Sequence, residues 1–315
     1  MKANFKLLIS LFLIISVIGC SSQDKKNASN DTASASPAMP ENFERAAVPI
    51  MITNELDKAN YLATHFWSKF NFRDTMYIHT PAITERAFAD FLFFLQSASP
   101  EKVSEGIKKL LDNAESEVIM YDYFFKLAEK YLYDPNSEYR NDEHFIPFLE
   151  HIINNDKLMD VYKVRPRHQL ELANKNRIGT KALDFAYTLA SGNSNRLYNV
   201  QAKNLLLMFY NPDCYECQEI TRALKNNAAI TTAISSGNLK VLAVFPDENL
   251  FVWKKYIDNI PSTWINGYDK ALSVKNNEIY DLKAIPTLYL LDKDKKVILK
   301  DTYIDRIVLY LQNIQ

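Results

Sequence analysis

The apolar run Leu205 to Tyr210 leads through Asn211-Pro212-Asp213 into Cys214-Tyr215-Glu216-Cys217, and this stretch constrains the chain more than any other. An unbroken apolar run of strand length suits a strand buried on both faces of a mainly parallel sheet. Asn211-Pro212-Asp213 ends it. From Cys214 onward Ile220, Ala223 and Leu224 recur at helical spacing, which puts both cysteines in the first turn of a helix. Free backbone N–H groups and the positive end of the helix dipole stabilise a thiolate there. The i, i+3 spacing lets the second sulfur reach the first.

The residues around this stretch alternate between strand and helix. Lys240 to Phe245 reads as a second buried strand and Leu250 to Ile257 as a helix. Thr287 to Leu291 and Lys296 to Lys300 read as a hairpin across Asp292-Lys-Asp-Lys295, and Ile304 to Ile314 as a closing helix.

Three segments, in order, carry a family resemblance: Gly179-Thr-Lys-Ala-Leu-Asp184-Phe185, the Cys214-x-x-Cys217 stretch, and Ala284-Ile285-Pro286-Thr287-Leu-Tyr-Leu-Leu-Asp292. With them the C-terminal half resembles the thioredoxin-like superfamily, and within it the TlpA/ResA-like extracytoplasmic branch. The resemblance implies an α/β thioredoxin-like fold over residues 176–315, with a cis proline at Pro286 beside the cysteine pair. It implies that Ile285 and Pro286, together with Tyr215, face the substrate. The long interval from Cys217 to Pro286 leaves room for the extra elements that TlpA/ResA-like domains insert, and Trp264 within it is read as a packed aromatic rather than a border of the site.

The chain departs from the family pattern at three places. Asp213 stands where a tryptophan usually precedes the first cysteine. Met208 stands where thioredoxins carry a buried acid that moves the proton of the second thiol, and a thioether cannot do that. A glutamate that often follows the pair is found one position early, as Glu219. As a catalytic proton acceptor Glu219 has to overcome a helical rotation of about 100° per residue, and a solvated surface glutamate is the competing reading.

Cys20 accounts for the third of the 3 cysteines. Lys2 and Lys6 precede an apolar run from Leu7 to Ile18 that closes on Gly19-Cys20. That run is shorter than the roughly 20 residues of a membrane-spanning helix, and it has the form of a signal peptide (residues 1–19) ending at a lipobox. Cys20 is then the lipidated N-terminus of a bacterial lipoprotein, its acyl chains the contact with the membrane. Residues 20–40 are rich in Ser, Ala, Asn, Asp and Lys without apolar period and read as a flexible tether. The expected location is the cell envelope, on the outer membrane facing the periplasm.

Residues 41–175 follow a helical pattern. Ala59, Leu62, Ala63, Phe66 and Phe70 share one face, and Phe88, Phe91, Leu92 and Leu95 another. Further apolar-faced stretches run over Val103 to Leu111, Val118 to Leu132, Phe145 to Ile153 and around His168 to Leu172. This predicts an all-α domain of five or six helices with an aromatic core. His65-Phe-Trp-Ser-Lys-Phe-Asn-Phe, Lys130-Tyr-Leu-Tyr-Asp-Pro-Asn-Ser and Arg140-Asn141 resemble the uncharacterised domain that precedes thioredoxin-like domains in many Bacteroidota lipoproteins, which implies no activity for this half. All 5 histidines lie here without ligand spacing, and the C-terminal half has none, so no metal site is expected. Arg140-Asn141 reads as closing the turn at Asp134-Pro-Asn-Ser137 and capping the next helix. The change of pattern near Asn176 predicts two halves that fold as separate units.

A net charge of -1 supplies no basic stripe, so nucleic acid is not an expected partner. The expected function is thiol-disulfide exchange with no cofactor beyond a redox-active Cys214–Cys217 disulfide. Cys214 is the attacking nucleophile, Cys217 the resolving thiol, and the partners are protein disulfides and an upstream thiol donor. Glu216 between the cysteines disfavours a thiolate, which makes the pair reducing. The alternative is a binding or scaffold lipoprotein whose thioredoxin fold carries a structural disulfide.

Overall fold

In a computed structural model, the structure describes residues 43–314. The expected signal peptide, the tether and Cys20 lie outside them. The described helices of the first half are α1 (Glu55–His65), α2 (Pro81–Leu95), α3 (Pro100–Ala114), α4 (Val118–Ala128), α5 (Asp142–Asn154) and α6 (Asp160–Asn174). Local chemistry starts them. Asn54 accepts from the Leu56 and Asp57 amides ahead of α1, Asn141 does the same for Glu143 and His144 ahead of α5, and α2 and α3 open on Pro81 and Pro100. Asn141 is thus the helix cap that its position predicts.

The aromatic core follows the sequence faces. Phe88, Phe91, Leu92 and Leu95 are at most 1% exposed. Trp67 stands edge-on to Phe70 and Phe124 at centroid distances of 5.3 and 5.1 Å, a geometry that suits aromatic quadrupoles. At Gly106 a Cβ would come within 2.0 Å of the Ala63 carbonyl oxygen, so the closeness of α1 to α3 requires glycine.

The C-terminal half runs β1 (Ala186–Leu189), β2 (Ser194–Arg196), β3 (Asn204–Phe209), α7 (Tyr215–Asn226), α8 (Ala228–Ser235), β4 (Leu239–Phe245), α9 (Leu250–Tyr256), β5 (Ile265–Tyr268), α10 (Ser273–Asn276), β6 (Thr287–Asp292), β7 (Val297–Leu299) and α11 (Ile304–Asn313). The sheet order is β2-β1-β5-β4-β3-β6-β7. Helical and α/β halves match the expected fold class. The expectation of a mainly parallel sheet needs correction, because only β3–β4 and β4–β5 pair parallel, while β6, β7, β1 and β2 join antiparallel. What makes Leu205 to Phe209 uniformly apolar is the central place of β3 with a layer on each side. Leu206 and Met208 pack with Cys217 and Trp253, whereas Leu205, Leu207 and Phe209 pack with Phe185 and Tyr280. Trp264 is a packed aromatic of the first layer, 7% exposed.

The described residues form one compact unit, and its two halves meet through buried charges. Asp142, at the start of α5, meets Lys283 at 2.5 Å and Lys300 at 2.8 Å, and all three side chains are only 5% exposed. Lys300 also donates to the carbonyls of Ala173 and Lys175, the negative end of α6, at 2.9 and 2.6 Å. Arg140 reaches from the helical half to Asp301 at 3.1 Å and lies 3.7 Å over the Tyr303 ring, while also closing its own turn by donating to the Pro135 carbonyl. Charges that read as surface residues in the sequence are the interior of this joint.

Candidate active site

The turn after β3 is built by side chains of its own residues. The Asn211 carboxamide accepts from the Asp213 amide at 3.0 Å, and the Asn211 carbonyl accepts from the Cys214 amide at 3.1 Å. Gln218 donates to the Pro212 carbonyl at 2.8 Å from the first turn of α7. Cys214 then occupies the cap position, in extended backbone with φ -88° and ψ 119°, and its sulfur accepts from the Cys217 amide at 3.3 Å. A cysteine sulfur fills the role that a Ser or Asp oxygen usually has.

The two sulfurs have different surroundings. Cys214 is half-buried, and its thiol donates to the Ile285 carbonyl at 3.3 Å. Cys217 is 1% exposed and packs on Met208, Tyr210 and Trp253. Burial pushes the Cys217 thiol up; the Asn211 amide, 3.4 Å from the sulfur, works against this, and Cys214 and Glu216 add to it. Tyr210 and Tyr256 flank Cys217, and burial raises both phenols. Cys214 and Cys217 are both free.

The Ile285–Pro286 peptide bond is cis, and the Ile285 carbonyl before it takes the Cys214 thiol. Tyr215 is 69% exposed beside the pair. Cys214, Cys217, Ile285, Pro286 and Tyr215 are therefore gathered at one place. Glu219 is not. Its carboxylate pairs with Arg222 at 2.5 Å and makes no hydrogen bond to either sulfur among the described residues. Glu219 is part-exposed and held by Arg222, an arrangement that favours the solvated reading over the proton-acceptor one. Met208 is fully buried beside Cys217 and offers it no proton acceptor.

Sequence reasoning passed over three contributors. The Asn211 amide bonds to Cys217, Tyr210 walls it, and Lys283 anchors the loop that carries Ile285. Asn211 sits in an Asn-Pro turn directly before the motif, a signal that was available. Nothing in the sequence marks Lys283. Among the described residues, no group of three or more His, Cys, Asp and Glu is arranged to hold a metal, and no helix is long and apolar enough to cross a membrane.

The sheet with its flanking helices, and a cysteine pair opening α7 opposite a cis proline, make the C-terminal domain thioredoxin-like. The family described as thioredoxin-like matches residues 202–297, and a domain of unknown function, DUF5106, matches residues 19–176. The crystal structure of a thioredoxin-like protein from Bacteroides caccae is 45% identical, covering 87% of this chain and 99% of that one with a TM-score of 0.82. The C-terminal domain of an uncharacterized protein from Bacteroides fragilis is 48% identical over 44% of this chain and 98% of its own, with a TM-score of 0.43. A domain of a possible thiol-disulfide isomerase from Cytophaga hutchinsonii is 28% identical over 45% of this chain and 97% of its own, with a TM-score of 0.37. No curated protein matches. The chain belongs to the thioredoxin-like family, with a DUF5106 domain preceding the thioredoxin-like one.

Proposed function

We propose that the protein is a thiol-disulfide reductase of the bacterial envelope, held to the membrane by lipid at Cys20. The observation that carries the reading is the asymmetry of the pair: a half-exposed Cys214 thiol at the start of α7 beside the Ile285-Pro286 loop, and a Cys217 thiol shielded behind it. Cys214 as thiolate attacks one sulfur of a protein disulfide. The substrate S–S bond breaks, a Cys214–substrate disulfide forms, and the other substrate sulfur leaves as a thiolate. Cys217 then gives up its proton and attacks the Cys214 sulfur. The second substrate sulfur is released, and the Cys214–Cys217 disulfide holds the two-electron oxidation.

With Met208 in place of an acid and Glu219 paired to Arg222, the departing substrate thiolate takes the Cys217 proton. An upstream thiol donor restores the dithiol. Equilibrating the chain with thiol buffers of known potential tests the direction. A reductase gives a couple nearer the thioredoxin end, about -270 mV, than the strongly oxidising end near -120 mV. A potential at the oxidising end contradicts the reading.

A further inference from the structure

The loop that carries Ile285 has no regular backbone ladder. Residues 279–286 lie between α10 and β6 without helix or strand, so side chains fix their course. Near its start Asn176 donates to the Ile279 carbonyl at 2.7 Å, and the Tyr280 hydroxyl donates to the Leu183 carbonyl at 2.7 Å. At its end the Thr287 hydroxyl donates to the Ala284 carbonyl at 2.5 Å. Between them stands Lys283, whose ammonium lies 2.5 Å from Asp142 and 4.7 Å from the centre of the Tyr133 ring. Both of those partners belong to the helical domain. Asp281 faces the same ammonium at 3.6 Å. Two residues beyond Lys283, the Ile285 carbonyl takes the Cys214 thiol.

We propose that the helical domain positions the substrate-facing loop of the thioredoxin-like domain, with Asp142 as the positioning residue: its carboxylate holds Lys283, and Lys283 sets where the Ile285 carbonyl meets Cys214. The inference rests on the reading of Cys214 as the reactive thiol, and it gives the DUF5106 domain a part in the chemistry of its neighbour. Asp142 suits the role because it is held from two sides. It follows the cap of α5, where the helix dipole favours a carboxylate, and Lys300 ties it independently to the end of α6. Cutting Lys283 from this anchor therefore leaves the Asp142–Lys300 pair, and with it most of the joint, in place.

The rate of Cys214 alkylation by iodoacetamide at fixed pH, followed by mass spectrometry on the full chain, tests the tie with a signed result. The Ile285 carbonyl holds the Cys214 thiol at 3.3 Å, so a loop freed from its anchor leaves the sulfur more open to the reagent. Removing a cation by itself slows a thiolate's attack. Lys283→Met is expected to speed alkylation about threefold or more. Asp142→Asn, which gives up the charge on Lys283 and keeps a single acceptor oxygen in place of two, is expected to act the same way should Lys283→Met fold poorly. Arg177→Met, which removes the separate Arg177–Glu143 ion pair between the domains, is expected to leave the rate where it is. An unchanged or slower rate in the folded Lys283→Met and Asp142→Asn chains overturns the proposal, as does an equal change in Arg177→Met. Alkylation needs no disulfide substrate, so a faster rate in a chain that reduces nothing supports the tie while contradicting the reductase reading.

Discussion

The Cys217 amide donates to the Cys214 sulfur at 3.3 Å while the Cys217 side chain is 1% exposed. One residue thus stabilises its partner's sulfur and withholds its own. In the native reduced chain, iodoacetamide is expected to modify Cys214 at least about tenfold faster than Cys217, and denaturation is expected to remove the difference. Peptide mapping after timed quenching reads both rates. Equal native rates would show that Cys217 is open to solvent.

Glu216 and Glu219 make a second contrast. Glu216 raises the Cys217 thiol, after burial and Cys214 in size, whereas Glu219 is paired with Arg222. Glu216→Gln is expected to stabilise the reduced form, making the potential less negative by on the order of 10 mV, because solvent screens an exposed carboxylate. Glu219→Gln is expected to change neither potential nor exchange rate. Redox equilibration of the two variants decides this, and a slowed Glu219→Gln would restore that residue as a proton acceptor.

These contrasts show where the sequence was informative. The Cys214–Cys217 pair, the Ile285-Pro286 loop, the central strand and the aromatic faces of the helical domain all follow from local spacing, which the backbone period turns directly into position. Glu219 did not follow, since its role depends on which way one helical residue turns. The Asp142–Lys283–Lys300 cluster was invisible for a different reason. Lys and Asp are read as surface residues unless a partner is known, and Asp142 and Lys283 lie 141 positions apart.

The joint between the domains carries its own prediction. Burial by itself would raise the Asp142 carboxyl, but Lys283 and Lys300 more than offset this and hold it below the usual range. Asp142→Ala removes the carboxylate shared by the two lysines, leaving Lys283 with Asp281 at 3.6 Å and Lys300 with backbone carbonyls, so it is expected to cost about 3–5 kcal/mol in urea unfolding of the full chain. A loss below about 1 kcal/mol would place these charges in solvent.

His144, beside Arg306 at the same joint, gives a pH dependence. Burial pushes its imidazole down to about 4 from 6.5, with Glu143 opposing and Arg306 assisting. The unfolded chain therefore binds a proton at a pH where the folded chain does not. This contribution is complete above pH 6.5 and is lost as the pH falls toward 4, on the order of 3 kcal/mol in all. His144→Gln is expected to flatten that part of the stability profile; an unaltered slope between pH 7 and 5 would contradict the assignment.

Trapping of partners in cells that make the protein tests the central claim most directly. Cys217→Ser keeps the attacking thiol and removes the resolving one, so mixed disulfides with natural substrates are expected to accumulate and to appear as reducible bands on non-reducing electrophoresis. Cys214→Ser is expected to trap little, because the remaining sulfur is buried. Adducts with Cys214→Ser but not Cys217→Ser would reverse the two roles, and adducts with neither would contradict disulfide exchange as the function of this site.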